Sequence, residues 1–177
     1  MRPPIVMEEI DIPNNVNIEI NGNIIKIKGP KGEKERKINN KDIYVEKVNN
    51  KLALKVYFPS KKLLKDFYTI ISHIKNDING VVNGYRYKLK GVSIHFPLKI
   101  KLQGNKIVIE NYMGGRDIKE IEIPKGVKAN VNESEIILEG YDIEVLGNLA
   151  GLIENSVKPK EKDLRKFQDG IYIVEKP

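Results

Sequence analysis

Apolar residues fall at two different spacings along this chain, and the switch from one to the other happens twice. Val16-Asn-Ile-Glu-Ile alternates apolar with polar, turns at Asn21-Gly22 and resumes as Ile24-Ile-Lys-Ile-Lys, the pattern of a β-hairpin. Gly29-Pro30-Lys31-Gly32 follows as a tight turn. Residues 33–38, 43–48 and 52–58 read as further strands, with Asn49-Asn50 turning the last pair. From Ser60, a capping residue by type, the spacing becomes helical. Leu63, Leu64, Phe67, Ile70, Ile71, Ile74, Ile78 and Val81 share one face of a helix of about five turns, ended by Gly80 and Gly84. Tyr85-Arg-Tyr-Lys-Leu-Lys then alternates as a strand, stops at Gly91 and leads into Ile94-His-Phe-Pro.

From here the chain repeats itself in the same order. Ile12-Pro13 is echoed by Phe96-Pro97, and Asn21-Gly22-Asn23-Ile-Ile-Lys-Ile by Gln103-Gly104-Asn105-Lys-Ile-Val-Ile. Lys51-Leu-Ala-Leu-Lys returns as Glu135-Ile-Ile-Leu-Glu, and His73-Ile-Lys-Asn-Asp-Ile as Leu152-Ile-Glu-Asn-Ser-Val. The offsets drift only from 79 to 84 residues. A second, shorter helix spans about Asp142 to Val157, with Leu146, Leu149, Ile153 and Val157 on one face. Gly147 and Gly151 leave a smooth strip on it, suited to close packing on the domain's own sheet. The pattern predicts an α+β protein of two tandem homologous domains, each an antiparallel sheet with one helix packed on one face. The predicted boundaries are 1–90 for the first repeat and 91–177 for the second, which carries a basic C-terminal segment at 158–177. The uncovered sheet faces are candidates for partner contact.

Composition narrows the function. The 177 residues are 40% hydrophobic and 31% charged, as in a folded soluble chain, and the absence of cysteine excludes disulfides, thiolate nucleophiles and cysteine zinc sites. There is no signal-like apolar run at the start and no 18-residue apolar stretch, so the expectation is a cytoplasmic protein without a membrane partner. A formal charge of +7 suits a polyanion. Its distribution is uneven: residues 1–90 carry 18 Lys and Arg against 10 acids, while residues 91–177 carry 13 against 14. Within the second half, residues 91–157 hold seven bases against ten acids, so the cations there are gathered in the closing segment.

An enzyme needs a nucleophile, a base or a metal site in plausible grouping, and none stands out. His73 and His95 lie in no ligand pattern, so a structural or surface role is the default for each. Acids such as Glu120, Glu122, Glu133 and Glu135 alternate along strands, which places them on the solvent side. Gly29-Pro-Lys-Gly32 lacks the spacing of a phosphate-binding loop and does not open a helix. Asn111-Tyr-Met-Gly-Gly-Arg-Asp117 is either a plain hairpin turn or a loop whose backbone meets a ligand, with Tyr112, Gly114, Gly115 and Arg116 as its candidate contacts.

The segment from Lys158 to Tyr172 packs five cations and two aromatics together: Lys158, Lys160, Lys162, Arg165, Lys166, Phe167 and Tyr172. Pro159 stops the helix before it, and Asp169-Gly170 turns it into a short apolar run. Such a segment is often only a solvated arm. Phe167 and Tyr172 argue otherwise, since rings either dock an arm or stack on bases, at about 1 to 3 kcal/mol per base.

Four motifs give the chain a family likeness. Arg165-Lys-Phe-Gln-Asp-Gly170 followed by Ile-Tyr-Ile resembles the hallmark of the archaeal and eukaryotic branch of the large-subunit ribosomal protein six family. Gly29-Pro-Lys-Gly-Glu33 is similar to that family's first-domain turn, Gly80-Val-Val-Asn-Gly-Tyr-Arg-Tyr-Lys88 to its helix exit, and Asn111-Tyr-Met-Gly114 to a second-domain loop. The likeness covers essentially the whole chain. It implies a structural, non-enzymatic protein of the large ribosomal subunit, with no cofactor, metal or small-molecule substrate. Its partners would be large-subunit rRNA, bound chiefly through the second domain near the sarcin-ricin region, and neighbouring ribosomal proteins at the stalk base. The hallmark carries over Lys162, Arg165, Lys166, Asp169 and Gly170 as parts of the RNA-facing element, and charge adds Lys158 and Lys160. The competing reading is a non-ribosomal, duplicated β-rich adaptor that binds protein through its open sheet faces.

Overall fold

Ser60 and Asp142 begin the two helices because each offers a side-chain oxygen to orphan backbone N–H groups. Ser60 Oγ accepts from Leu63 at 3.1 Å, and Asp142 Oδ1 accepts from Glu144 and Val145 at 3.0 and 3.4 Å. These contacts, and all that follow, come from a computed structural model that describes residues 3–160 and 162–177. The first two residues of the Pro-rich start and Glu161 of the basic segment lie outside the described residues.

The chain divides into two units, residues 1–84 and 85–177. The first contains strands β1 (Ile5–Asp11), β2 (Asn17–Asn21), β3 (Ile24–Gly29), β4 (Gly32–Lys37), β5 (Ile43–Val48) and β6 (Lys51–Tyr57), then helix α1 (Lys61–Asn83). The second contains β7 (Tyr85–Val92), β8 (Lys99–Gln103), β9 (Lys106–Glu110), β10 (Lys119–Glu122), β11 (Val127–Asn132) and β12 (Glu135–Gly140). Helix α2 (Ile143–Ser156) and β13 (Gly170–Glu175) complete it.

In each unit the strands divide between two antiparallel sheets. The first unit has the orders β1-β6-β5 and β2-β3-β4; the second has β11-β12-β7-β13 and β10-β9-β8. The α+β class and the duplication therefore hold, with two small sheets per repeat. Symmetry reaches single hydrogen bonds. Asn23 Nδ2 donates to the Ile38 carbonyl at 3.4 Å and Asn105 Nδ2 to the Ile123 carbonyl at 2.8 Å, and both asparagines' own carbonyls accept from those same residues.

Two expectations shift, and strand β1 is added to the pattern. Strand β1 was hidden in the sequence, because half-buried Glu8 sits where the alternation calls for an apolar residue. Gly80 lies inside α1, and Gly84 alone caps it, at φ 74°. The strand after the helix, assigned by its position to residues 1–90, is β7, which pairs with both β12 and β13 in the second unit. Its register explains why: Tyr85, Tyr87 and Leu89 pack on the second unit's core.

Each helix buries its apolar face against its own unit. Phe67, Ile71, Ile74 and Ile78 of α1 match Leu146, Ala150 and Ile153 of α2 and the capping Val157, all buried. The turn at Gly29 is pressed against the end of α1: a Cβ there would lie 2.7 Å from the Val81 carbonyl oxygen, and Lys31 donates its N–H to the same oxygen at 2.8 Å. That glycine serves close backbone approach. On α2 only Gly147 meets the sheet, with Tyr87 Oη 3.3 Å from its virtual Cβ, whereas Gly151 faces open space. The smooth strip is half used. Among the described residues no helix is long and apolar enough to cross a membrane.

Candidate nucleic-acid interface

Helix α2 ends at Ser156, and the chain returns as β13 at Gly170. The return depends on that glycine, whose virtual Cβ would stand 2.9 Å from the Val157 carbonyl oxygen. Any larger residue would push β13 off the helix end. Next to it, Asp169 is 2% exposed. Its carboxylate accepts from the backbone N–H groups of Ile94 at 3.1 Å and His95 at 3.4 Å, and lies 3.5 Å from His95 Nδ1. Its carbonyl accepts from the Tyr112 hydroxyl at 3.3 Å. One residue thus joins the segment before β8, the loop after β9 and the start of β13. It also explains why residues 94–97 are irregular where the sequence suggested a strand start: Asp169 takes the N–H groups a ladder would use.

The loop after β9 is itself tightly wound. Asn111 and Met113 adopt left-handed conformations at φ 59° and 52°, and Asn111 Nδ2 donates to the Pro97 carbonyl at 2.9 Å. Gly114, at φ 73°, packs beneath Phe96, whose ring would sit 3.0 Å from an added Cβ. Tyr112 is partly buried, and burial, with Tyr172 and Asp169 nearby, pushes its phenol up to about 12.

The cations sit around this knot. Residues 163–167 form one turn, in which the N–H groups of Lys166 and Phe167 donate to the Asp163 carbonyl at 3.0 and 2.9 Å. Arg165 donates from its N–H, Nε and Nη2 to the Asp163 carboxylate at 3.0, 3.1 and 3.3 Å, which holds that carboxyl below its ordinary range. The Arg165 side chain is nonetheless 90% exposed. Such an exposed pair adds little net stability, so it yields readily to a phosphate. Phe167 stacks on His95 with ring centroids 5.4 Å apart, and Lys162 Nζ lies 4.8 Å from the Phe167 centroid. Tyr172 projects from β13, its hydroxyl donating to the Gln168 carbonyl at 2.9 Å.

The predicted site residues therefore sort into two groups. Lys158, Lys160, Lys162, Arg165, Lys166 and Arg116 are exposed cations, with exposed Gly115 beside the last. Tyr112, Gly114, Asp169 and Gly170 are architectural: they fold the loop and hold the tail. Buried Asp169 and Gly170 offer no surface to a phosphate, which corrects their expected place on the facing element. Reading by residue type missed the cations of β7. Arg86, Lys88 and Lys90 alternate with the core-facing residues of that strand, and Lys90 pairs with Tyr172 across the sheet. Counted by the observed units, the second holds 16 Lys and Arg against 14 acids and the first 15 against 10. The second unit is mildly basic, not acidic.

A duplicated α+β protein with an anchored basic return loop is the class these features define. The family model described as Ribosomal protein L6 matches it twice, over residues 12–84 and 96–170. The chain belongs to the ribosomal protein L6 family. It is 44% identical over 170 residues to the large ribosomal subunit protein uL6 of Sulfurisphaera tokodaii, covering 96% of this chain and 91% of that protein. It is 41% identical over 177 residues to the protein of the same name from Saccharolobus solfataricus, covering 99% and 98%. The Nanoarchaeum equitans protein of that name is 40% identical over 184 residues, covering 99% and 96%.

Proposed function

We propose that this chain is a structural, non-enzymatic component of the large ribosomal subunit that binds large-subunit rRNA, chiefly through its second unit and C-terminal segment. In the same reading it works in cytoplasmic ribosomes near the sarcin-ricin region, beside the proteins of the stalk base. The observation that carries the RNA reading is the anchored turn. Exposed Lys162, Arg165 and Lys166 project from a backbone tied down by buried Asp169 and close-packed Gly170. Cations held in place lose less freedom on meeting a fixed array of phosphates than cations on a loose arm. Lys158, Lys160 and Arg116 extend the patch. Interactions of this kind read backbone shape rather than base sequence.

The test is salt dependence. Replacing Lys162, Arg165 and Lys166 with Ala should weaken binding to large-subunit rRNA and flatten its salt slope by roughly 0.7 to 0.9 for each phosphate no longer neutralised. An unchanged slope would remove the tail from the interface. In lysate the protein should sediment with large subunits and leave them only at high salt. Recovery in a complex lacking rRNA would favour the adaptor.

A further inference from the structure

The two repeats differ at one edge. In the second unit β13 lies along the free side of β7, with Ile171 buried at 1% exposure and Ile173 packed on the same core. The strand corresponding to β7 in the first unit is β1. The match is fixed by register, since Ile10 pairs with Leu52 as Leu89 pairs with Ile136. One further bond agrees: Ile12 N–H donates to the Asn50 carbonyl at 2.9 Å, as Gly91 N–H does to the Ser134 carbonyl at 2.6 Å. Strand β1 pairs with β6 on one side, and among the described residues no strand pairs with its other side.

At that edge a groove of about 260 Å³ runs between β1 and the last turns of α1, floored by Ile10, Pro13, Ile78 and Val82. It is the first unit's counterpart of the slot that β13 fills. Because Ile12 turns its N–H toward β6, alternation turns the backbone groups of Asp11 and Glu9 outward, as Lys90 turns its own toward Tyr172. On the helix side, Glu154 accepts from the Ile173 N–H at 3.2 Å in the second unit, and Lys75 stands at the matching position of α1 and lines the groove. Lysine only donates, and a strand residue directs its N–H and C=O to the same side. A strand seated there would give Lys75 its carbonyl where Ile173 gives Glu154 its N–H.

We propose that the β1–α1 groove of the first unit is a strand-acceptor site for an extended segment of a partner protein. That segment has aliphatic residues at alternate positions and basic residues between them. The aliphatic side chains would enter the groove over Ile10 and Ile78. The basic ones would fall opposite Asp11, whose side chain is 88% exposed, and Glu9, both on the outward face of β1. There the two carboxylates share the one cation of Lys51, at 3.7 and 3.2 Å, and so keep an excess of negative charge. Backbone pairing would supply the fit, and the two carboxylates would choose the charge.

The test uses the full chain and synthetic peptides of residues 169–176. One peptide carries Tyr172→Lys and Val174→Lys, the other Tyr172→Glu and Val174→Glu. The lysine peptide should slow hydrogen exchange at the amides of Glu9 and Asp11, and bind at least about tenfold tighter than the glutamate peptide, the size of effect that one charge-assisted hydrogen bond gives. Val82→Glu should block binding of both peptides. Since that change could disturb α1, the exposed substitution Asp11→Lys serves as a second arm and should narrow or reverse the preference. Peptide binding that leaves the β1 amides unprotected would overturn the proposal. So would protection of those amides without peptide that rises as the chain dimerises, because the occupant would then be a second copy.

Discussion

The two repeats close the space between helix and sheet with different chemistry. In the first unit, α1 and β4 meet through charge. Asp77, 3% exposed, accepts from Arg36 Nε, from Arg36 Nη2 at 3.0 Å, and lies 3.3 Å from Lys34 Nζ. In the second unit the residues at the corresponding registers are Ile121, 5% exposed, and Ser156, whose hydroxyl donates to the Ile153 carbonyl at 2.7 Å. One copy holds its helix with an ion cluster. The other uses an isoleucine, and it also gains a strand. Two members of the contact, Arg36 and Asp77, differ together between the copies, while Lys34 has its counterpart in exposed Lys119.

The largest effect expected from this comparison is in the ion cluster. Asp77→Ser alone leaves Arg36 and Lys34, both mostly buried, without their carboxylate and should cost about 3 to 5 kcal/mol. Adding Arg36→Ile, which copies the second unit at that register, should recover the part of that loss owed to Arg36, while Lys34 still lacks the Asp77 carboxylate. Urea denaturation of the single and double variants measures both. Equal losses in the two would mean the cluster is not a unit.

Next in size is the anchor of the second copy. Asp169→Ala leaves the Ile94 and His95 N–H groups without their acceptor and should cost about 1 to 3 kcal/mol. Hydrogen exchange should then quicken in β13 and at residues 94 and 95, with β1 to β6 unaffected. The smallest effect belongs to Tyr112. Tyr112→Phe removes one hydroxyl bond, about 0.5 to 1.5 kcal/mol. Folding raises the phenol from its ordinary value near 10 to about 12. Its contribution is therefore complete below the unfolded value and is lost as pH rises through the folded one. The wild-type chain should lose stability over that alkaline span more steeply than Tyr112→Phe, as seen in thermal melts across it.

The repeat was legible in the sequence because each hairpin and helix announces itself within about 20 residues, through period and turn chemistry. What hid was nonlocal. Strand β4, Gly-Glu-Lys-Glu-Arg-Lys, was legible as a strand, but its alternation of charge with charge gives no sign that Lys34 and Arg36 turn inward against α1. Strand β7 follows the first helix directly, so adjacency assigned it to the wrong copy. Its partners lie some 50 and 80 residues onward. The candidate site divided along the same line. Its cations could be found by residue type, whereas the architectural role of Asp169 rests on bonds to residues 74 and 75 positions away.

The pairing of Gly170 with Val92 also dictates an order of events. The first unit contains every strand and helix it needs by Asn83, so it can close as soon as that stretch of chain exists. The second must hold β7 with one side unfilled until β13 has been made, and a loop of that length is slow to close. The local turn at Asp163 can form early, but the placement of Lys162, Arg165 and Lys166 on the unit is set by this last step. A chain that has not finished folding therefore presents a loose arm in place of a fixed patch, and should be a poor competitor for the same RNA.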